Sequence, residues 1–363
     1  MEYIRREIIP HFCIDEEIEA IRIFDSGHIN NTYQLQTRDG GYVLQQINHY
    51  VFKNPEQVMS NIISVTNHIK EKILMEGGDV ERGTLHFIPT KDGEYYYKTP
   101  YGEYYRVYKY ISGVKTYQIV EKPEHFYNAA CAFGKFQNML ADFPADSLYE
   151  TIENFHHTPL RYKQLDEAIA NDPKGRAKEV KKYIDFAMAR RDEAGLIVDG
   201  IASEEIKIRV THNDTKLNNV LIDKKTNRGI CVIDLDTVMP GSMLYDFGDS
   251  IRFGTNTSEE DEPDLDKVHM NMELYRCFAE GYLSELKGSI TEAELKYMPF
   301  SAKLMTLECG IRFLADYING DLYFKIDREG QNLDRTGTQF KLVTEMEKNM
   351  KDMEKIIDEI MNS

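Results

Sequence analysis

The sequence predicts an α+β chain: a β-rich N-terminal lobe with one main helix, then a larger, mostly helical C-terminal lobe. Three observations carry this expectation. Up to residue 112, short segments rich in β-branched and aromatic residues alternate with turn signals. Beyond that point apolar residues recur at helical spacing. Within the helical part lies one compact island, residues 206–236, of short apolar runs around polar loops.

In the N-terminal part, residues 21–25, 32–37 and 42–47 read as strands, separated by Ser26-Gly27 and by Asp39-Gly40-Gly41. Pro55 opens a helix through Val58, Ile62, Ile63, Val65, Ile69 and Ile73, which Gly77-Gly78 stops. Residues 85–90, 94–98 and 103–111 read as three further strands, and Ser112-Gly113 breaks the pattern. The C-terminal part carries helical spacing over 125–140, 161–169, 174–194, 265–286, 291–318 and 340–361. The division is therefore residues 1–112 and 113–363.

The length, 363 residues, suits two lobes around a cleft better than one ordinary core. With 42% apolar and 29% charged residues, the composition excludes a disordered or low-complexity chain. The net charge of −17 repels phosphate backbones and argues against a nucleic-acid partner. Eight tyrosines between residues 95 and 110 are accordingly read as two antiparallel strands, not as a base-stacking platform. No apolar run is long enough for a bilayer, mean hydropathy is −0.50, and the N-terminus has no apolar leader, so no membrane partner is expected. Five cysteines at 13, 131, 231, 277 and 309 show neither zinc spacing nor a C-x-x-C pair, which suits reduced thiols in a cytoplasm.

The island carries chemistry. It contains His212-Asn213-Asp214-Thr215-Lys216-Leu217-Asn218-Asn219, an H-x-D-x-x-x-x-N pattern, and continues to Val232-Ile233-Asp234-Leu235-Asp236. Phosphoryl transfer needs a carboxylate to accept a hydroxyl proton and hard oxygen ligands for Mg²⁺ beside the phosphates. Asp214 is the candidate base, and Asn219 and Asp234 are the candidate metal ligands. Lys216 is placed to reach a γ-phosphate as a point charge. The apolar runs flanking these groups are hard to reconcile with a solvated surface hairpin.

These residues resemble the aminoglycoside phosphotransferase and choline-kinase family of small-molecule kinases. The resemblance runs over nearly the whole chain and is closest to the N-acetylhexosamine 1-kinases of that family. It rests on Ser26-Gly27-His28-Ile29-Asn30, on Val43-Leu44-Gln45-Gln46-Ile47-Asn48, and on residues 212–220 and 232–243. Tyr245-Asp246-Phe247-Gly248-Asp249 and Glu308-Cys309-Gly310-Ile311-Arg312-Phe313-Leu314 complete it. The resemblance implies a protein-kinase-like two-lobe fold, with nucleotide binding in residues 1–112 and the catalytic loop and sugar site in 113–363. It also implies ATP, Mg²⁺ and transfer to the anomeric hydroxyl of N-acetylglucosamine or N-acetylgalactosamine. Other acceptors known in the family (aminoglycoside, choline, homoserine, methylthioribose) stay open. So does a nucleotide-binding module without catalysis.

Three points refine that picture. Asp246-Phe247-Gly248 spells a protein-kinase metal motif, but it lies beyond the hairpin. The resemblance gives the metal to Asp234 and leaves Asp246 to brace the catalytic loop. On the nucleotide side, Ser26, Gly27, His28 and Asn30 offer a short polar turn to phosphates, and Tyr108 and Tyr110 flank the expected adenine-reading hinge. The third strand lacks the lysine of the kinase template, and Gln45 stands nearest its place. On the acceptor side, the resemblance points Arg312 at a sugar oxygen, although snorkelling to solvent also fits its helix. Tyr323 follows on a loop that could close a sugar pocket. Phe253 offers an aromatic face, or equally a core contact. His156-His157 looks like a metal pair, but it lacks a glutamate at helical spacing and reads as a loop bordering the cleft.

Overall fold

The computed structural model describes residues 1–24 and 29–363. The strands are β1 (Ala20–Phe24), β2 (Asn31–Gln36), β3 (Gly41–Ile47), β4 (Tyr97–Lys98), β5 (Tyr104–Lys109), β6 (Val114–Lys115), β7 (Arg209–Thr211), β8 (Val220–Asp223), β9 (Gly229–Val232) and β10 (Met239–Gly241). The α-helices are α1 (Pro55–Met75), α2 (Val80–Gly83), α3 (Pro123–Met139), α4 (Thr158–Asn171), α5 (Lys181–Met188), α6 (Leu196–Ala202), α7 (Met243–Gly254), α8 (Met272–Ser284), α9 (Glu292–Asn319) and α10 (Gln331–Met361). The α+β class expected from the sequence is the class observed.

The chain divides into two compact units. The first comprises Met1–Thr116, Met139–Glu153 and Asn219–Pro240. The second comprises Tyr117–Asn138, Asn154–Asn218 and Gly241–Ser363.

The first unit is built on a five-stranded antiparallel sheet of order β1-β2-β3-β5-β4. Side chains alternate across it with period 2. Tyr42 and Leu44 of β3 and Tyr105 and Val107 of β5 point to one face, where Ile4, Ile8, Phe12 and Ile18 complete a core. Val43, Gln45, Arg106 and Tyr108 therefore share the opposite face. The register between β3 and β5 pairs Gln45 with Arg106. A three-stranded sheet of order β6-β8-β9 carries the hairpin expected from the island. Asp223 shapes its turn by accepting the N–H groups of Lys225 (2.9 Å) and Thr226 (2.7 Å).

In the second unit α9 packs against α4, α7 and α10. Leu307, Ile311, Leu314 and Ile318 of α9 lie in one core with Tyr162, Leu165, Phe340 and Val343. A capping box starts α9: Thr291 Oγ1 accepts the Glu294 N–H at 3.2 Å and Glu294 Oε2 accepts the Thr291 N–H at 2.8 Å. The same Glu294 pairs with buried Arg209 at 2.5 and 2.8 Å, so one carboxylate caps a helix and anchors β7. Gly320, at φ +99°, ends α9 in the left-handed region that favours glycine.

Several sequence expectations are corrected. Residues 85–90 make only single bridges, Phe87 to Tyr108 and Thr90 to Phe12. Pro89 has no N–H to continue a ladder. Residues 94–98 shorten to β4. Residues 174–194 do not form one helix, because Asp172-Pro173-Lys174-Gly175 make turns and α5 starts only at Lys181. The last helix starts at Gln331, earlier than the apolar spacing alone marked. Among the described residues no helix is long and apolar enough to cross a membrane.

The Asp-Phe-Gly triplet lies in the first turns of α7, and its glycine is a packing residue. A Cβ at Gly248 would meet the Ser301 carbonyl oxygen of α9 at 2.5 Å and Met305 Cγ at 2.6 Å. Gly248→Ala should therefore destabilise the protein by about 1–3 kcal/mol through overpacking, despite alanine's better helix propensity. Urea unfolding of the variant beside the parent checks this, and an unchanged or raised midpoint would contradict the close approach.

Candidate active site

The second unit holds the loop of the H-x-D pattern. β7 delivers the chain to His212, whose ring is fully buried between the edges of Phe133 and Phe136. Asn213 then turns in the left-handed region at φ 62° and donates through Nδ2 to Thr211 Oγ1 (3.0 Å). Asp214 follows, half-buried, with Lys216 Nζ 3.0 Å from its Oδ1. Partial burial would lower the lysine pKa, but the Asp214 and Asp249 carboxylates outweigh it and raise it.

Beneath this loop lies Asp246. Its Oδ2 accepts the His212 N–H at 2.9 Å and Oδ1 accepts the Asn213 N–H at 2.8 Å. Gln137 Nε2 donates to the same carboxylate (2.8 Å) and to the Val210 carbonyl (2.9 Å). The Thr215 hydroxyl donates to the Asp246 main-chain carbonyl at 2.7 Å. Burial pushes the Asp246 carboxyl pKa up, against the His212 ring and the N–H donors. Both oxygens are thus engaged in holding main chain, the geometry of a brace.

The first unit holds the candidate metal residues. Asn219 directly precedes β8, and Asp234 lies just beyond β9. The Ile233 N–H donates to the Asn219 carbonyl at 2.9 Å, which puts both residues at one end of the hairpin. Asn219 is buried, whereas Asp234 is exposed in the left-handed region at φ 59°. A carboxylate and a carboxamide oxygen form a hard donor set, which fits Mg²⁺. After Asp234 the turn is fastened by Asp236 and by Asn61 of α1, whose Nδ2 donates to the Val238 carbonyl at 2.9 Å.

On the nucleotide side, Ser26, Gly27 and His28 lie outside the described residues. Asn30 is buried and donates to Asp236 Oδ2 at 2.5 Å. Gln45 donates to Thr32 Oγ1 at 3.2 Å and accepts from Arg106. Sequence reasoning missed Arg106 and Asp236. Glu56 of α1 accepts from the Tyr104 hydroxyl at 3.3 Å and pairs with Lys98 of β4 at 3.7 Å, not with a residue of the third strand. Tyr108 packs its ring 5.4 Å from Phe87. The Tyr110 N–H donates to Gly41 O at 3.0 Å, so this donor is not available to a base.

The predicted acceptor residues belong to the second unit. Arg312 lies on α9 with its guanidinium 5.8 Å from the Phe155 ring, 5.8 Å from Tyr323 and 5.4 Å from Phe324. Among the described residues it has no carboxylate or hydrogen-bond acceptor. Tyr323 is 72% exposed. Its loop is clamped through main chain: Asp316 accepts the N–H groups of Leu322 (2.9 Å), Tyr323 (2.8 Å) and Phe324 (3.0 Å). Phe253, on α7, is half-buried. Two carboxylates near these, Asp249 and Glu308, have no role assigned from the sequence. Asp249 pairs with buried Arg252 at 2.8 Å; burial raises its pKa, but Arg252 and Lys216 outweigh it and hold it low. His156 donates from Nδ1 to buried Glu308 at 3.0 Å, and its Nε2 has no partner. The glutamate that the His156-His157 pair lacked locally thus comes from α9. His157 instead caps α4, accepting the Leu160 N–H at 3.2 Å.

An antiparallel sheet carrying the nucleotide-side residues, an H-x-D loop braced by a buried aspartate, and a helical C-terminal part define a protein-kinase-like phosphotransferase fold. The model of the phosphotransferase enzyme family matches residues 20–280, and the chain belongs to that family. An aminoglycoside phosphotransferase from Alicyclobacillus acidocaldarius is similar over 97% of this chain and 95% of its own, with TM-score 0.64 and 12% identity. The microcompartment-associated aminopropanol kinase is similar over 97% and 98%, with TM-score 0.61 and 15% identity. A Plasmodium vivax ethanolamine kinase is similar over 88% and 82%, with TM-score 0.52 and 14% identity. At such identities the likeness is one of fold.

Removing the brace has a defined cost. Asp246→Ala leaves two buried main-chain N–H groups without their acceptor, which should lower stability by about 2–4 kcal/mol. Asp246→Asn, which keeps one carbonyl oxygen, should lose less. Thermal melts and urea midpoints check the order; equal stability of all three proteins would remove Asp246 from its structural role.

Proposed function

We propose that this kinase transfers the γ-phosphoryl group of ATP to the anomeric hydroxyl of an N-acetylhexosamine, giving the α-1-phosphate and ADP. Asp214 accepts the hydroxyl proton as the oxygen attacks phosphorus and the bond to the bridging oxygen breaks. Lys216 neutralises charge on the transferred group. Asn219 and Asp234 hold Mg²⁺, which when bound offsets phosphate charge. Ser26, Gly27, His28 and Asn30 belong to the phosphate side, with Gln45. The hinge around Tyr108 and Tyr110 reads adenine through main-chain groups other than the Tyr110 N–H. Positioning and electrostatics supply the catalysis, and no covalent enzyme intermediate is needed. Five free cysteines suit a reducing cytoplasm.

The acceptor reading rests on one observation: the Arg312 guanidinium, framed by Phe155, Tyr323 and Phe324, has no partner within the described protein. Its donors suit hydroxyl and amide oxygens, and the rings suit the apolar faces of a sugar. Glu308, one turn earlier on α9, fixes His156, which interacts electrostatically with Asp249, as does Lys216 beside Asp214. An uncompensated cation disfavours amine acceptors such as those in the names of the aminopropanol and ethanolamine kinases. It equally suits a carboxylate, so homoserine is the second reading. A coupled ADP assay over N-acetylglucosamine, N-acetylgalactosamine, glucose, homoserine, choline, methylthioribose and an aminoglycoside tests this. Phosphorus NMR of the product identifies the phosphorylated atom. Turnover confined to an amine acceptor would overturn the reading.

Two variants test the roles. Asp214→Asn should fold normally and lower kcat by at least roughly 10²-fold, the scale of losing a general base. Near-parental turnover would remove Asp214 from the chemistry. Arg312→Ala should raise KM for the N-acetylhexosamine by about tenfold or more through the lost hydrogen bonds, with KM for ATP unchanged. A rise in the ATP value alone would move Arg312 to the phosphate side.

A further inference from the structure

The third strand offers glutamine where the kinase template places a lysine, yet a buried cation stands directly across from it. Arg106 of β5 is 2% exposed and pairs in register with Gln45. Its Nε and Nη2 donate to Gln45 Oε1 at 3.0 and 2.8 Å. Nη1 and Nη2 donate to the two oxygens of Asp236, the latter at 3.0 Å. The Gln45 amide is held in this orientation by its own donation to Thr32 Oγ1. Asp236 also accepts from Asn30 Nδ2, and Asn30 Oδ1 accepts the Asn48 N–H at 2.9 Å. Arg106 of β5 and Asn30, just ahead of β2, thus converge on one carboxylate two residues after Asp234, with Gln45 of β3 behind the guanidinium.

This arrangement leaves the guanidinium nothing with which to reach a phosphate directly. All three of its nitrogens face protein acceptors, and bidentate pairing fixes the carboxylate plane. The 3₁₀ turn that follows Asp234 begins at Leu235 and includes Asp236. An anchored Asp236 therefore limits where the backbone of Asp234 can go.

We infer that Arg106 and Asp236 are a positioning pair that holds the Asp234 turn ready for the metal–nucleotide complex, in place of the absent strand lysine. Arg106 acts through Asp236 and does not touch substrate. The inference rests on Asp234 being a metal ligand, as proposed above.

The test compares the full-length parent with Arg106→Lys, the double variant Arg106→Met/Asp236→Leu, and Asp234→Ala. Replacing both members of a buried ion pair with apolar residues of similar size is often tolerated in stability, whereas removing one member is not. The readout is the affinity for fluorescently labelled ADP with and without Mg²⁺, alongside thermal melting. The double variant should melt near the parent and bind metal-free ADP comparably. Its Mg²⁺ enhancement of ADP affinity should fall by about tenfold or more, as for groups that orient metal ligands. Arg106→Lys keeps the charge without the fork and should lose part of the enhancement. Full parental enhancement in the folded double variant overturns the inference. If the double variant does not fold, full parental enhancement in Arg106→Lys does so. Full enhancement in Asp234→Ala would instead overturn the metal assignment itself, and the inference with it.

Discussion

A buried main-chain N–H must find an acceptor, and in the loop after β7 that acceptor is Asp246. The loop cannot be regular structure, because Asn213 has to turn through a left-handed conformation to present Asp214. Consecutive N–H groups at His212 and Asn213 would then be stranded away from water. A helix first turn supplies the answer: α7 starts with Ser242 capping Leu244 and places Asp246 under the loop. The close contact of Gly248 with α9 keeps α7 at the distance this requires. Local strain at Asn213, the packing of α7 and the direction of Asp214 are therefore one constraint seen at three scales.

The first unit solves a different problem, the placing of a positive charge inside a sheet. An isolated buried guanidinium is costly. Here it is made tolerable by carboxylate and carboxamide partners on both sides, and Asp236 in turn has a second donor in Asn30. Burial lowers the Arg106 pKa, but Asp236 outweighs it and the net displacement is upward, so the guanidinium stays charged. A lysine at residue 45 would set a second cation directly across the β3–β5 register from the Arg106 guanidinium.

What could be read from the sequence was what depends on neighbours along the chain. The β-rich start, the long α1 and the hairpin of residues 206–236 follow from spacing and turn residues. So does the order Asp214, Asn219, Asp234. The Arg106 pair could not be read, because its members are separated by 61 and 130 positions from Gln45 and Asp236 and meet only through strand register. An arginine interrupting the buried run Tyr104-Tyr105-Arg106-Val107 was the available signal, since a charge on an inward face demands a partner. The carboxylate for His156 was invisible for the same reason, lying 152 positions away. Residues 85–90 misled because composition favours a strand there while Pro89 denies it a continuous ladder.

Asp316 grips residues 322–324 by their amide nitrogens alone, and any residue other than proline supplies an amide nitrogen. The path of this loop is thus indifferent to the side chains it displays. Leu322 and Tyr323, 80% and 72% exposed, add little to the interior. Successive substitutions there can change what the loop touches while the helix end, Gly320 and the Asp316 clamp keep its course. The surface displayed there can therefore be altered one residue at a time without redrawing the main chain beneath it.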